Sequence, residues 1–346
     1  VAYEDCSRME LIDEDSGRHH HCQVTPAEAG LYVTWLVRGL KAEGRQRLLA
    51  RPGWTRRRSS GVEITDRPES GRVDVRISGA HFTSYHYGKQ WVRPFLHPVT
   101  GPEGVQVTRN WPIKKRVKGE HRDHPHHKSI WVAHGECDRV DNWSEEPGHG
   151  WQKHQEFLAL ASGPVFGRIH ARNNWCYPSG RKQFEELRDM RFYNLPGGLR
   201  LLDMEITLRM TPGAVTFRDT KEGGLLSVRV ASAMDVRNGG RIENAYGAIN
   251  EEETWGKPAP WCDYSGTVAG RPVGIAAMDH PNNPRYPTGW HVRNYGLMTA
   301  NCFAWTYYFP QSKVRGDMAF AKGQETTWRY RLYIHKGDAR QGKVAQ

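Results

Sequence analysis

The chain has 346 residues, with 49 Lys and Arg against 38 Asp and Glu, giving a formal net charge of +11. Hydrophobic residues make up 38% and charged residues 25%, the balance of a folded globular chain and not of a disordered one. The longest apolar run is Phe157 to Ala161, far short of the about 20 residues a membrane-spanning helix needs, which excludes a membrane partner of that kind.

Residues 1–60 read as irregular, polar strands and loops, and residues 61–340 as one catalytic β-domain. His19, His20 and His21 are adjacent, so their side chains diverge and suit an exposed loop or surface strand better than a metal. Leu31 to Val37 is a β-rich run, and Glu43 to Leu49 suits a helical turn. From residue 61 the pattern is strand-like. Val62–Thr65 and Val73–Ser78 alternate with period two. Phe82–Tyr87, Val105–Thr108, Ser129–His134, Val165–His170 and Leu199–Met210 continue the series, then Ala214–Phe217, Leu226–Ala231, Gly274–Met278, Phe303–Phe309 and Thr326–His335. Gly, Pro, Asn and Asp punctuate them. Glu185–Met190 is the best helical fragment, and it suits a strand equally. The expected fold is all-β: a large antiparallel β-sandwich with few short helices.

Arg outnumbers Lys by 35 to 14 and is spread along the whole chain. The runs Arg56–Arg58 and Lys114–Arg116 match no nucleic-acid-binding module, so a nucleic-acid partner is not expected, while an anionic small substrate is compatible. The six cysteines are scattered without a CxxC pair, which fits reduced thiols. With no signal-like opening segment, a cytoplasmic location is expected.

The densest polar cluster runs from Glu120 to Lys128 and holds His121, His124, His126 and His127 beside the apolar run Ile130–Ala133. In an extended segment His124 and His126 share one side. They suit a general acid/base pair, or two ligands of one divalent metal ion, with His121 or Asp123 joining through the loop. His134-Gly-Glu136 matches H-x-E, but the P-C-x-x-C of the zinc deaminases is missing. No H-E-x-x-H, G-x-S-x-G, P-loop or G-x-G-x-x-G occurs, so no nucleotide cofactor is expected. Glu222 beside Lys221 and Asp219, Trp255, His280, and His291 with Arg293 lie in other polar clusters. The 13 Trp, set near Asp, Glu, His and Arg, suit a sugar-binding surface.

Several long strings stand in a recognisable order. They are Gly88–Phe95, Gly104–Arg109, Asp123–Trp131, Asp219–Gly223, Asp263–Gly266, Asp279–Pro284 and Trp290–Gly296. Together they resemble the PmoA-like family over about residues 85–338. The family's methane-oxygenase label does not suit a chain without spanning helices. The resemblance implies carbohydrate catabolism and a galactose-mutarotase-like supersandwich. It marks His124, His126, His127, Glu222, Arg229, His280, His291 and Arg293 as motif residues. The expectation is a glycoside or keto-glycoside lyase or hydrolase, with a sugar mutarotase, epimerase or binding protein as the alternative. His124, His126, Glu222 and His291 would be catalytic. Lys89, His127, Arg229, Trp255, His280, Arg293 and Tyr295 would bind substrate. His121, His124 and His126 would hold a metal if one is used.

Overall fold

The computed structural model describes residues 9–20, 22–27, 30–37, 40, 43–52 and 61–345. His21 and Arg56–Arg58 lie outside the described residues. The N-terminal strands are β1 (Met9–Asp13), β2 (His19–His20), β3 (Cys22–Ala27), β4 (Gly30–Trp35) and β5 (Leu48–Pro52). They form a small sheet, β2-β1-β5, and a hairpin, β3-β4. Gln23 ties the hairpin to the main body, its Oε1 accepting from the backbone N–H groups of Val165 and Phe166.

The main body begins with β6 (Val62–Arg67), β7 (Arg72–Ile77), β8 (Ala80–His86), β9 (Phe95–Leu96) and β10 (Ile130–His134). Then come β11 (Trp151–Ala161), β12 (Phe166–Cys176), β13 (Lys182–Asn194), β14 (Arg200–Arg209), β15 (Val215–Phe217), β16 (Gly223–Arg229) and β17 (Arg241–Asn244). A short helix α1 (Asn250–Thr254) leads to β18 (Trp261–Val268), β19 (Arg271–Asp279), β20 (Trp290–Arg293) and β21 (Leu297–Ala300). The one-turn helix α2 (Trp305–Tyr308), β22 (Met318–Phe320) and β23 (Glu325–Lys336) complete the order.

Two eight-stranded antiparallel sheets result. Sheet one runs β20-β21-β16-β10-β9-β8-β7-β6, and sheet two runs β11-β12-β13-β14-β23-β19-β18-β17. The expected all-β sandwich with few short helices is what the chain forms. Between the sheets, Val73, Val75, Phe82, Ile130 and Val132 of sheet one meet Trp175, Phe184, Ile206, Leu332 and Ile334 of sheet two. Each such fully buried side chain contributes roughly 1.5–3 kcal/mol.

Three expectations change. Phe303–Phe309 is not a strand: α2 occupies its middle. Glu43–Leu49 forms no helix, and its last two residues open β5. Val105–Thr108 makes only isolated bridges, Thr100 with Gln106 and Thr108 with Val230. Glu185–Met190 lies inside β13.

Candidate functional site

Strand alternation gives sheet one a second face, turned away from sheet two. On β10, Ile130 and Val132 enter the core between the sheets, while Trp131 and Ala133 join a separate cluster with Phe95, Trp143 and Leu297. Cross-strand register then sets two rows on this outer face. Trp131 pairs with Ser227, Ser227 with Thr299, and Thr299 with His291. Arg229 pairs with Leu297, and Leu297 with Arg293. The loop before β10 folds over these rows and delivers Asp123, His124, His126 and His127.

The rings stack into a column. His124 lies between Tyr295 and His127, with ring centroids 4.7 and 4.8 Å away and planes within 13° and 8°. His127 in turn stacks on Trp131 at 5.2 Å. His126 meets His127 edge-on at 4.4 Å and Trp143 at 6.0 Å. The Arg229 guanidinium sits 4.9 Å from the Tyr295 ring centre, a cation–π contact.

Charge pairing fixes the column. Asp123 Oδ1 accepts from Arg229 Nη2 at 2.7 Å and from Arg109 Nη1 at 3.1 Å. Arg109 also donates to Asp235 at 2.6 Å, and Arg109, Arg229 and Asp235 are almost fully buried. Burial alone would raise the Asp123 pKa. Its contacts with His124, Arg229 and Arg109 outweigh that and hold the carboxyl well below the usual carboxylate range. Burial, then repulsion from Arg109, lowers the Arg229 guanidinium to about 10, which leaves it cationic at neutral pH.

The histidines differ in what they can do. His127 Nδ1 accepts from Arg229 Nη1 at 2.6 Å, which places its proton on Nε2. His291 Nδ1 accepts from Trp255 Nε1 at 3.2 Å, with the same consequence. Burial, then Arg93, pushes His126 down to about 3, and burial, then Arg293 and Lys221, does the same to His291. Burial and Arg229 push His127 well down as well. These three rings are neutral near pH 7. His124 differs in its partner. Its Nδ1 lies 3.2 Å from Asp123 Oδ2, at ion-pair distance though not aligned for a full hydrogen bond. Only a proton on Nδ1 makes that contact attractive, so the lone pair belongs to Nε2. His124 is about one-third exposed and sits at φ +43°, a left-handed conformation that costs a non-glycine residue roughly 1–3 kcal/mol.

A second charged group lies under the loop. Lys128, almost fully buried, pairs with Glu145 and donates to Pro125 O at 3.4 Å; Arg93 donates to His126 O at 3.3 Å. Burial, then Arg93, lowers the Lys128 amine to about 8 against the pull of Glu145.

The structure thus brings together His124, His126, His127, Arg229, His291, Trp255, Arg293 and Tyr295. Arg293 pairs with Glu251 of α1 at 2.7 Å. Glu222 stands at the margin: it pairs with Lys221, is half exposed, and its charge is felt at Tyr295 and Tyr308. Lys89 is exposed on the loop that carries Trp91 and touches none of the column. His280 is elsewhere. It lines a cavity of about 450 Å³ on the outside of sheet two, with Arg329, Glu205 and Asp203. His121 turns away to Asp235, at 3.2 Å, and Arg237. Among the described residues no three His, Cys, Asp or Glu side chains converge as metal ligands, so His121, His124 and His126 do not make the expected metal set.

Asp123 and Lys128 stand inside the same D-H-P-H-H-K string as the chosen histidines, and Arg109 ends the G-V-Q-V-T-R string; these signals were present. Asp235, Glu145 and Trp143 carry no local signal, because tertiary packing alone brings them in.

Fold and face together define a two-sheet β-sandwich protein with a neutral-imidazole and arginine site on the outside of one sheet. The chain belongs to the family described as a family of unknown function, DUF6807, which matches residues 72–346. The PmoA-like name finds no counterpart in this match. No curated protein matches the chain. Among solved structures, it is similar to a GalM/aldose epimerase homologue from C. elegans, at 9% identity and TM-score 0.29, covering 80% of this chain and 99% of that one. It is also similar to a galactose mutarotase related enzyme from Lactobacillus acidophilus, at 8% identity and TM-score 0.28, covering 80% and 97%. Overlaps this loose assign no activity to the chain. Among the described residues no helix is long and apolar enough to cross a membrane, and Cys22, Cys137, Cys176, Cys262 and Cys302 are free thiols.

Proposed function

We propose that the outer face of sheet one binds a sugar or glycoside and moves a proton on it. The observation that carries this reading is the Asp123–His124 pair, with Asp123 held by two buried guanidinium groups and His124 stacked under Tyr295. His124 Nε2 is the general base. Asp123 keeps the ring oriented and stabilises the imidazolium once the proton arrives. His127 and His291, each with its proton on Nε2, are donors suited to the oxyanion that forms, and Arg229 holds His127 and Asp123 in place from below. Trp255 supplies an aromatic surface for the sugar's C–H groups.

On a 3-keto-glycoside His124 takes the proton next to the carbonyl, the enediolate is held by the donors, and the C1–O bond breaks as the leaving oxygen takes that proton back from the His124 imidazolium. On a free aldose the same base deprotonates a hydroxyl and the anomers interconvert. Hydrolysis by paired carboxylates is less supported, because Asp123, Glu145, Glu222, Asp235 and Glu251 are each already paired with a cation.

The test is to incubate the full chain with aldoses and 3-keto-glycosides in deuterated water and follow exchange, elimination and anomer interconversion by NMR. Wild type is expected to accelerate one of these, and His124→Ala to lose about 10²–10⁴ of that rate. Asp123→Asn should lose a comparable share, because the ring's proton then has no carboxylate to face. No acceleration on any substrate, or a rate unchanged by His124→Ala, would overturn the assignment.

A further inference from the structure

The carboxylates of the histidine face are spent on cations, yet the loop beside it carries cations that are not. Residues 110–122 are anchored to the site at both ends. Trp111 Nε1 donates to Asp123 O at 2.8 Å, the Glu120 carboxylate accepts from the backbone N–H groups of Asn110 and Trp111, and His121 N donates to Ser232 Oγ at 3.2 Å. Ile113 packs against the same apolar cluster as Trp131 and Tyr295. Lys114, Lys115, Arg116 and Lys118 stand between these anchors, and Arg122 follows. All five are exposed. None forms an ion pair among the described residues, and the loop's one acid, Glu120, is bound to its own backbone.

The outer face of sheet two differs, because acids stand opposite its arginines. Outside sheet two, Arg168 pairs with Asp189, Arg329 with Glu205 and Arg331 with Asp203. Five like charges within nine residues repel one another, and a rigid base keeps them together at the edge of the site. Their summed field raises the local concentration of anions there.

We infer that the substrate of the histidine face carries a negative charge, the carboxylate of a sugar acid or the phosphate of a sugar phosphate, which the 114–122 loop attracts while the sugar ring lies on the histidine face. This rests on the sugar reading above and narrows its substrate class.

The experiment is calorimetric binding of glucose, glucuronate and glucose 6-phosphate to the full chain at about 0.01 M and about 0.15 M salt, where the screening length falls from about 30 to about 8 Å. The comparison protein is the triple variant Lys114→Gln, Lys115→Gln, Arg116→Gln, whose exposed positions leave folding intact, as a thermal melt would verify. At low salt one or both anionic sugars should bind about tenfold tighter than glucose. Salt and the triple variant should each erase most of that advantage and leave glucose unchanged. The stronger of the two identifies the anion. Equal binding of all three sugars, or an advantage that survives in the triple variant, overturns the inference while the sugar reading stands. No binding by any of the three overturns both. Tight binding of a single-stranded oligonucleotide alone, lost in the triple variant, does so too and makes the loop a nucleic-acid contact.

Discussion

Glu186 shows how much one carboxylate can organise inside this molecule. It is fully buried and accepts from Trp175 Nε1 and from Arg188 Nε, both at 2.6 Å, and from Asn173 Nδ2 at 3.3 Å. Arg188, also buried, donates onward to Pro94 O at 3.2 Å. The pair is costly to bury and costlier to break, because the survivor is an unpaired interior charge. Glu186→Leu should therefore lose about 3–5 kcal/mol in urea unfolding. Glu186→Leu with Arg188→Met should recover most of that loss. A single variant within about 1 kcal/mol of wild type would show that Arg188 finds another partner. The same logic governs Asp123 between Arg109 and Arg229, except that Asp123 is one-third exposed and water softens the penalty.

At the scale of the element, β16 is the hinge between the two halves of the site. It pairs with β10 on one side and β21 on the other, and it carries Ser227 and Arg229 outward. Its approach to β21 is close at Gly224, where a Cβ would fall 2.3 Å from Ala300 O and φ is +136°. Only glycine adopts that conformation without strain. Gly224→Ala should cost at least about 2 kcal/mol by chemical denaturation. Gly213→Ala, with nothing within 4 Å, should stay within about 0.5 kcal/mol. A silent Gly224→Ala would mean that the pairing register can slide.

The elements also explain what could be read in advance. Strands with clean alternation or dense β-branched runs, such as β7, β8 and β14, were legible because one or both faces are apolar. Strands β18 and β20 were not, because their sequences set Trp beside Cys, Asp, His or Arg, and β21 was not, because its four residues are too few to show a period. In β20, Trp290 and Val292 face the core while His291 and Arg293 serve the outer face. Edge strand β11 was hidden by its solvent-facing Lys153, Gln155 and Glu156. At the site, residue type and local density pointed to the histidines. They could not give the tautomers, which depend on Arg229 and Trp255 from distant parts of the chain, nor separate His280, which lies in another of the marked strings and on another face.

For the whole molecule, the arginine excess divides into two populations. Outside sheet two it forms a lattice of exposed pairs, each worth only about 0.2–1 kcal/mol and screened by salt. Under the histidine loop Arg93, Arg109 and Arg229 are buried and structural, as Arg188 is inside sheet two. Acid should unfold the protein through its histidines. His97, His126 and His291 are pushed down to about 3 and His134 to about 4, in each case chiefly by burial. Between those values and about 6.5 the unfolded chain binds protons that the folded chain does not, so stability rises with pH across that window. It is complete above about 6.5 and is lost as pH falls below it, by up to about 1.4 kcal/mol per pH unit for each group. Urea midpoints should be level between pH 7 and 8 and clearly lower at pH 5. A midpoint unchanged from pH 7 to 5 would mean that these rings are protonated in the folded chain.

Asp123 and Arg229 are 106 residues apart in the chain, His127 and Arg229 are 102, and Arg109 and Asp235 are 126. Apart from Arg109 and Asp123, which are 14 residues apart, the contacts that hold the ring column are closed by the fold and by no single segment. Two relatives recombined at a crossover anywhere between positions 128 and 228 would inherit one half of each pair from each parent. Such chimaeras hold together only where both parents kept matching partners, so these positions are expected to change in concert or not at all as the family diverges. The histidine loop is likewise not a portable motif: grafted onto another scaffold it would arrive without the arginines that give it its charge.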